Sequence, residues 1–191
     1  MNLPFISDET YKNISYTKQE LPKAEYDNCT FVNCDFSESY ISNISFLDCE
    51  FIDCNFSMVK AKGTILKDVL FNNCKMVGFP FHDCNALFMS FKFKTSQLNF
   101  ASFHNLKLKN TTFDQCKLEQ TDFTEADLSG SKFDDCNLLR AIFEHTNLEH
   151  VNFSNSYNLS INPELNKLKN AKFSKENALG LLNSYQIKIE D

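Results

Sequence analysis

Residues 111–138, which read TTFDQCKLEQTDFTEADLSGSKFDDCNL, repeat every five positions. Large apolar residues stand at Phe113, Leu118 and Phe123, and the residue two positions before each of them is small. Helices repeat near 3.6 residues and strands near 2, so a period of five fits neither. This period predicts a turn in every five residues, with the large residue (the centre) and the small residue both pointing inward.

The same period extends over most of the chain in two series. The first runs from Tyr26 to Phe81 and the second from Phe93 to Phe153, two residues out of phase with the first. We therefore predict an insertion or a slipped turn near 82–92, with one more centre at Ala86 or Phe88. A chain that turns so regularly must wind as a solenoid, each coil burying its large residues against the next coil.

All eight cysteines fall in the column two residues before a centre, where chance would place roughly one in five. This placement favours small core thiols over zinc ligands, whose sulfur atoms must converge on one point. Stacking of neighbouring coils would bring Cys34 and Cys54 within disulfide distance, and oxidation stays an alternative that a reducing compartment argues against.

The segments Ala126–Gly130 and Cys136–Arg140 resemble the A(D/N)LXX motif of pentapeptide repeat proteins. The resemblance covers about Tyr26 to Phe153 and implies an all-β fold, a right-handed quadrilateral β-helix with four pentapeptides per coil and a short C-terminal helix and tail. Residues 20 apart then stack. The predicted structural core is Phe31, Phe51, Phe71, Phe103, Phe113, Phe123, Phe133, Phe143 and Phe153.

Three regions follow from the repeat: an N-terminal lead and cap over 1–25, the β-helix over 26–158, and a helical cap with a dimerisation tail over 159–191. Asn162-Pro163-Glu164 is a helix-start signature. Ser174 is predicted to cap a helix over 175–184, and 186–189 alternates like a strand.

The C-terminal region resembles the Qnr-like branch of the family, in which the tail joins two subunits end to end. The resemblance implies a homodimer, and the alternative is a monomeric cap that only buries the last coil. The dimerisation residues would be Leu179, Leu181, Leu182, Tyr185, Ile187 and Ile189.

Composition excludes several classes of protein. The 191 residues include 19 basic and 25 acidic ones, a net charge of −6, which argues against direct nucleic-acid binding. No apolar run approaches the roughly 18 residues of a membrane span. The N-terminus lacks a basic segment followed by an apolar one, so we predict a cytoplasmic protein rather than a secreted one.

The sequence contains no motif that is typical of an enzyme. It contains no G-x-G-x-x-G or P-loop motif, and a filled rod offers no cleft for a Ser-His-acid triad. His145 and His150 both fall at outward positions. The sequence therefore predicts no catalysis, no cofactor and no metal site.

Charge is banded along the chain: −6 over 27–55, +6 over 60–109 and −6 again over 110–160. The acids of the last band all fall at outward positions, and end-to-end dimerisation would place two such bands side by side. They are Asp114, Glu119, Asp122, Glu125, Asp127, Asp134, Asp135, Glu144 and Glu149.

Members of the Qnr-like branch act as DNA mimics that bind type II topoisomerases. The resemblance therefore implies a non-enzymatic partner of DNA gyrase or topoisomerase IV that modulates fluoroquinolone sensitivity, with those nine acids as the contacts. The lysine-rich middle and the lack of the large loops of quinolone-protecting members depart from that pattern. The alternative is a general protein-interaction scaffold. A continuous acidic strip favours mimicry, and charge scattered over all faces favours a scaffold.

Overall fold

The structure, a computed structural model, describes residues 3–87 and 89–190. Very short parallel strands dominate it, because the chain turns before a strand can grow longer. The strands are β1 (Phe5–Ser7), β2 (Thr10–Lys12), β3 (Glu25–Asp27), β4 (Thr30–Val32), β5 (Ser45–Leu47), β6 (Glu50–Ile52), β7 (Ile65–Lys67), β8 (Val69–Asn72), β9 (Phe91–Lys94), β10 (Thr112–Asp114) and β11 (Lys132–Asp134).

These strands form two parallel sheets on neighbouring faces of a solenoid. The first face has the order β1-β3-β5-β7, and the second has β11-β10-β9-β8-β6-β4-β2. Single parallel bridges define two more faces, the third through Asp35↔Asn55 and the fourth through Tyr40↔Lys60. The chain visits the four faces in turn and returns to the first after 20 residues. The predicted β-helix is therefore confirmed.

Stacked phenylalanine rings fill the interior, and all nine phenylalanines assigned to the core are buried. Phe113 lies on Phe133 with ring centroids 4.6 Å apart and planes 5° from parallel. Rings on neighbouring faces meet edge to face, as Phe123 and Phe133 do at 5.9 Å and 89°. Both arrangements are favourable for aromatic pairs, so the stacks support one another across the rod.

The two-residue phase change lies on the first face. On the second face, β8 pairs with β9 and Phe71 stands opposite Phe93, an offset of 22. Phe93 therefore lies between Phe71 and Phe113 and joins the rings on either side of the phase change into one stack. On the first face, β7 is the last strand of its sheet. Among the described residues, the next parallel bridge on this face joins Lys107 and Asp127. Ala86 is exposed rather than a buried centre, and Phe88 lies outside the described residues.

The small residues two positions before each centre also supply hydrogen-bond donors to the interior. All eight cysteines are buried and free. The thiol of Cys54 donates to the carbonyl of Phe31 at 3.4 Å, and the hydroxyl of Thr121 donates to that of Leu98 at 2.8 Å. Each donor reaches a carbonyl 23 residues earlier, in the coil beneath. Ser, Thr and Cys share this column because each combines small size with a donor.

The solenoid extends beyond both boundaries drawn from the sequence. In the segment predicted as a lead, β1 pairs with β3, and Tyr11 stacks on Phe31 at 4.7 Å. At the other end, Phe173 stacks on Phe153 at 5.6 Å, beyond the predicted end at 158. The N-terminal coil escapes the pattern because its small-column positions hold residues such as Glu9 and Gln19.

The C-terminal region differs from the sequence-based prediction. No helix begins at Asn162; its side-chain oxygen accepts the backbone N–H of Glu164 at 3.0 Å in a turn, and the helix-start prediction is wrong. The helix α1 spans Lys175–Leu179, which is five residues shorter than predicted, and a 3₁₀ turn follows at Asn183–Tyr185. The described residues 186–189 form no strand.

Helix α1 closes the end of the solenoid. The hydroxyl of Ser174 accepts the N–H of Asn177 at 3.1 Å, which confirms the predicted N-cap. The buried side chain of Asn177 donates to the carbonyls of Phe153 and Ser156. In the described part of the chain, no helix is both long and apolar enough to cross a membrane.

Candidate partner-binding surface

The nine predicted contact acids all point outward and none is buried, but they occupy four faces. The register fixes each position, because Asp114 pairs with Asp134 on the second face and Asp127 lies opposite Lys107 on the first. The first face carries Asp127 and Glu149, the second Asp114, Asp134 and Asp135, the third Glu119, and the fourth Asp122, Glu125 and Glu144. The acids therefore form a belt around the rod rather than a strip along it.

The densest part of the belt is on the second face. Asp114 and Asp134 stand in register on β10 and β11, and Asp135 follows at the corner. Lys132 lies 2.6 Å from Asp134, and the amide of Asn155 donates to the same carboxylate at 2.7 Å. These hydrogen bonds, that of Lys132 first, lower the pKa of Asp134 below its ordinary value. Asp134 therefore stays ionised beside Asp114 at neutral pH.

Asp127 is similarly held on the first face. Its carboxylate accepts the N–H of Ser129 at 3.1 Å and the amide of Asn147 at 3.0 Å, and Lys109 lies 3.3 Å away. Partial burial opposes its ionisation, yet the hydrogen bonds from Ser129 and the nearby ammonium group outweigh burial and lower the pKa of Asp127.

Other acids of the belt are free to engage a partner. Among the residues that the structure describes, the carboxylates of Asp114, Asp135, Glu144 and Glu149 form no hydrogen bond or ion pair. These four carboxylates are therefore available to hydrogen-bond donors on an approaching basic surface.

Lysines flank the belt on both sides. The middle of the chain carries eight, of which Lys109 forms an ion pair within the described residues. The last coil adds Lys167, Lys169 and Lys172. A C-terminal dimer would place these lysines, rather than the acids, closest to its centre.

The predicted dimerisation residues form an apolar surface beyond the last coil. Leu179 and Tyr185 are each 49% exposed, and Ile187 and Ile189 are 56% and 55% exposed. Leu181 and Leu182 are half-buried, and Leu181 packs against the core.

Metal ligation and thiol chemistry find little support in the described part of the chain. No group of three or more His, Cys, Asp and Glu side chains there could hold a metal ion. Burial raises the pKa of the Cys49 and Cys84 thiols to about 12, so both are protonated at neutral pH and poor nucleophiles.

The repeat seen in the structure matches a known family. A family model described as a pentapeptide repeat region matches residues 24–103 and 106–181. The chain belongs to the pentapeptide repeat family. Its sequence matches none of the curated proteins.

Several solved structures are similar to this chain. Full-length QnrB1, a plasmid-mediated fluoroquinolone resistance protein, is 22% identical over 96% of this chain and 100% of its own, with a TM-score of 0.42. HetL from the cyanobacterium Nostoc, involved in regulating heterocyst differentiation, is 14% identical over 90% of this chain and 88% of its own, with a TM-score of 0.44. Rfr23 from the cyanobacterium Cyanothece is 11% identical over 91% of this chain and 86% of its own, with a TM-score of 0.27.

Sequence reasoning treated the phase change as a break in the pattern and missed the cleft that it opens. The cleft lies where the first face meets the second and is lined by 68–70, 89–92 and 107–111. The sequence signal that could have indicated the cleft is the position of the two extra residues, together with the lysines around them.

Proposed function

We propose that this pentapeptide repeat protein is a non-catalytic binding scaffold whose acidic belt occupies the basic, DNA-binding surface of a type II topoisomerase. Residues 110–160 carry a net charge of −6. They make two and a half coils of 20 residues, or about 12 Å at a strand spacing of about 4.8 Å. That is one net negative charge per about 2 Å, close to the spacing of about 1.7 Å in B-DNA. This charge density is the observation that carries the proposal.

The length of the acidic belt limits how many base pairs of DNA the protein can mimic. Its length of about 12 Å corresponds to roughly four base pairs, and lysines follow on both sides. Binding is therefore expected at one local basic site, with the unpaired Asp114 and Asp135 among the first contacts. We expect competition with DNA to change gyrase or topoisomerase IV activity and, through it, fluoroquinolone sensitivity.

The test compares two triple variants in binding and supercoiling assays with purified gyrase. Asp114→Lys, Asp134→Lys and Asp135→Lys together reverse the densest part of the belt, and we expect more than tenfold weaker binding. The matched control reverses Glu38, Asp48 and Asp53, which are exposed acids outside the belt. Equal binding by the wild type and the belt variant would overturn the proposal, provided both keep the wild-type circular dichroism spectrum.

A scaffold for a different protein is the second candidate function. The scatter of the acids over four faces favours it, because a continuous strip would suit a DNA-binding groove better. The two candidates differ in competition: a DNA mimic releases DNA from gyrase, whereas this scaffold leaves gyrase-bound DNA in place at micromolar protein. A measurement of DNA retention by fluorescence anisotropy separates them.

We also propose that two subunits join through the apolar C-terminal surface. Support comes from the exposure of Leu179, Tyr185, Ile187 and Ile189, since apolar surface of this kind is seldom left open to water. Light scattering should give twice 22.1 kDa for the wild type and 22.1 kDa for Ile187→Glu with Ile189→Glu. Met58→Glu, also at an exposed apolar position, is the control expected to stay dimeric. A wild type of 22.1 kDa would contradict this proposal.

A further inference from the structure

The phase change opens a cleft of about 310 Å³ at the corner between the first and second faces. Residues 68–70 lie below it, 89–92 line its middle and 107–111 lie above it. The cleft exists because, among the described residues, no bridge continues the first face between β7 and Lys107, and Ala86 and Leu87, which lie in that interval, are exposed. Clefts that bind small molecules start at about this size.

Positively charged side chains outnumber negatively charged ones in the cleft. Lys92, Lys107 and Lys109 line it against one carboxylate, that of Asp68. The hydroxyl of Ser90 donates to Asp68 at 2.9 Å and accepts the backbone N–H of Asp68 at 2.8 Å, which holds the carboxylate in place.

Two ammonium groups remain without a counter-charge. Lys109 is paired with Asp127 at 3.3 Å, outside the cleft. For Lys92 and Lys107, the described part of the chain offers no carboxylate within 4.0 Å. The cleft therefore presents a net positive charge from two different coils.

Five of the residues that line the cleft are apolar. Val69, Phe91 and Leu108 are buried and form its floor, while Leu70 and Met89 are half-buried along its sides. Phe91 stands in the column that elsewhere holds small residues, and it packs against Phe81 at 5.2 Å. A buried apolar floor beneath two free cations suits a ligand with an apolar body and an acidic end.

We propose that this cleft binds a small organic anion of roughly ten to fifteen non-hydrogen atoms. The acidic group lies between Lys92 and Lys107, and the apolar body lies against Met89 and Leu108. The site goes beyond the proposed function, because it lies outside the acidic belt and is charged oppositely to it.

Octanoate is the probe, and octan-1-ol is its uncharged counterpart of similar length. Titrated into ¹⁵N-labelled protein, octanoate should shift the amide signals of 68–70, 89–92 and 107–111, with a dissociation constant of about 1 mM. Octan-1-ol should bind at least tenfold more weakly, since it lacks the charge that the lysines recognise. Equal binding of the two probes, or octanoate shifts spread over the whole surface, would overturn the proposal.

Variants locate the binding groups. Lys92→Gln with Lys107→Gln should weaken octanoate binding about tenfold or more. Lys94→Gln is the matched control, because Lys94 is exposed on the same strand β9 but does not line the cleft. Both variants should keep the wild-type melting temperature. The proposal fails if Lys94→Gln weakens binding as much as the double variant does.

Discussion

Phe123 shows what one centre contributes to stability. Its ring lies between those of Phe103 and Phe143, with centroids 5.1 Å away on each side, and is fully buried. Phe123→Ala removes two stacking contacts and leaves a cavity that neighbouring coils cannot fill. We expect the free energy of unfolding to fall by about 3–5 kcal/mol, measured by urea denaturation.

Phe100 is the matched control for that measurement. It occupies a corner with a φ of 62° and is 55% exposed, so its ring adds little to the core. Phe100→Ala should change the free energy of unfolding by no more than about 0.5 kcal/mol. A loss as large as that of Phe123→Ala would mean that burial does not determine the contribution of a phenylalanine here.

The buried thiols predict a fall in stability at alkaline pH. Burial raises the pKa of Cys49 and Cys84 to about 12, whereas an unfolded thiol ionises near about 8.5. Each raised pKa therefore stabilises the fold fully below that lower value, and the contribution is lost as the pH rises towards 12. Between pH 8 and pH 10 the loss should be about 2 kcal/mol per thiol.

The measurement is the urea midpoint at pH 8 and at pH 10. Cys49→Ser keeps a small donor, as Ser131 does in the same column, but removes one ionisable group. Its midpoint should fall less with pH than that of the wild type. The same pH dependence in both proteins would contradict a buried, protonated Cys49.

At the residue scale, the inward columns were predictable from the sequence because the five-residue period assigns each position a direction. The hydrogen bonds of the small column were not, since they depend on which carbonyl in the coil beneath faces Cys54 or Thr121. The same holds for the ion pair of Lys109 with Asp127, whose side chains meet only through the register.

Among the elements, the docking of helix α1 on the last coil depends on Gly180 rather than on the length of the helix. A Cβ atom at Gly180 would lie 2.0 Å from the backbone oxygen of Leu159, which cannot move away. Gly180→Ala should therefore lift α1 from the last coil and destabilise the protein by about 1–3 kcal/mol. Hydrogen exchange of the amides of 175–185 should accelerate.

Gly78→Ala is the control for this prediction. Its Cβ atom would meet the sulfur of Met58 at 2.9 Å, the flexible end of an exposed side chain. Hydrogen exchange in α1 should then stay at the wild-type rate. Protection of α1 that survives Gly180→Ala would show that the helix docks in another way.

Regular elements were easier to predict than the ends and the phase change. The strands follow from the period, but β1 and β2 escaped because Pro4 and Glu9 stand where small residues were expected. The turn at Asn162 resembles a helix start because Asn and Pro favour both structures. The cleft could not be predicted, since its walls depend on how residues 82–87 and 89–90 leave the regular path.

For the whole molecule, the acidic belt was only partly predictable. The sequence places the carboxylates of 114–149 outward and close together along the axis. Their spread over four faces also follows from counting in coils of 20 residues, but the pairing of Asp134 with Lys132 and Asn155 needed the structure. The belt therefore presents charge in every direction, which sets how broadly a partner must wrap around the rod.

The constant offset between stacked residues also has a kinetic consequence. Contacts such as Phe113 with Phe133 join positions 20 apart in a chain of 191, a relative separation of about 0.10. That value is typical of helical bundles, whereas β-sandwiches and small barrels reach about 0.16–0.22 and fold in milliseconds to seconds. This all-β chain can thus nucleate at any pair of coils and grow outward one coil at a time, closing only short loops. It should assemble at the speed of a helical protein.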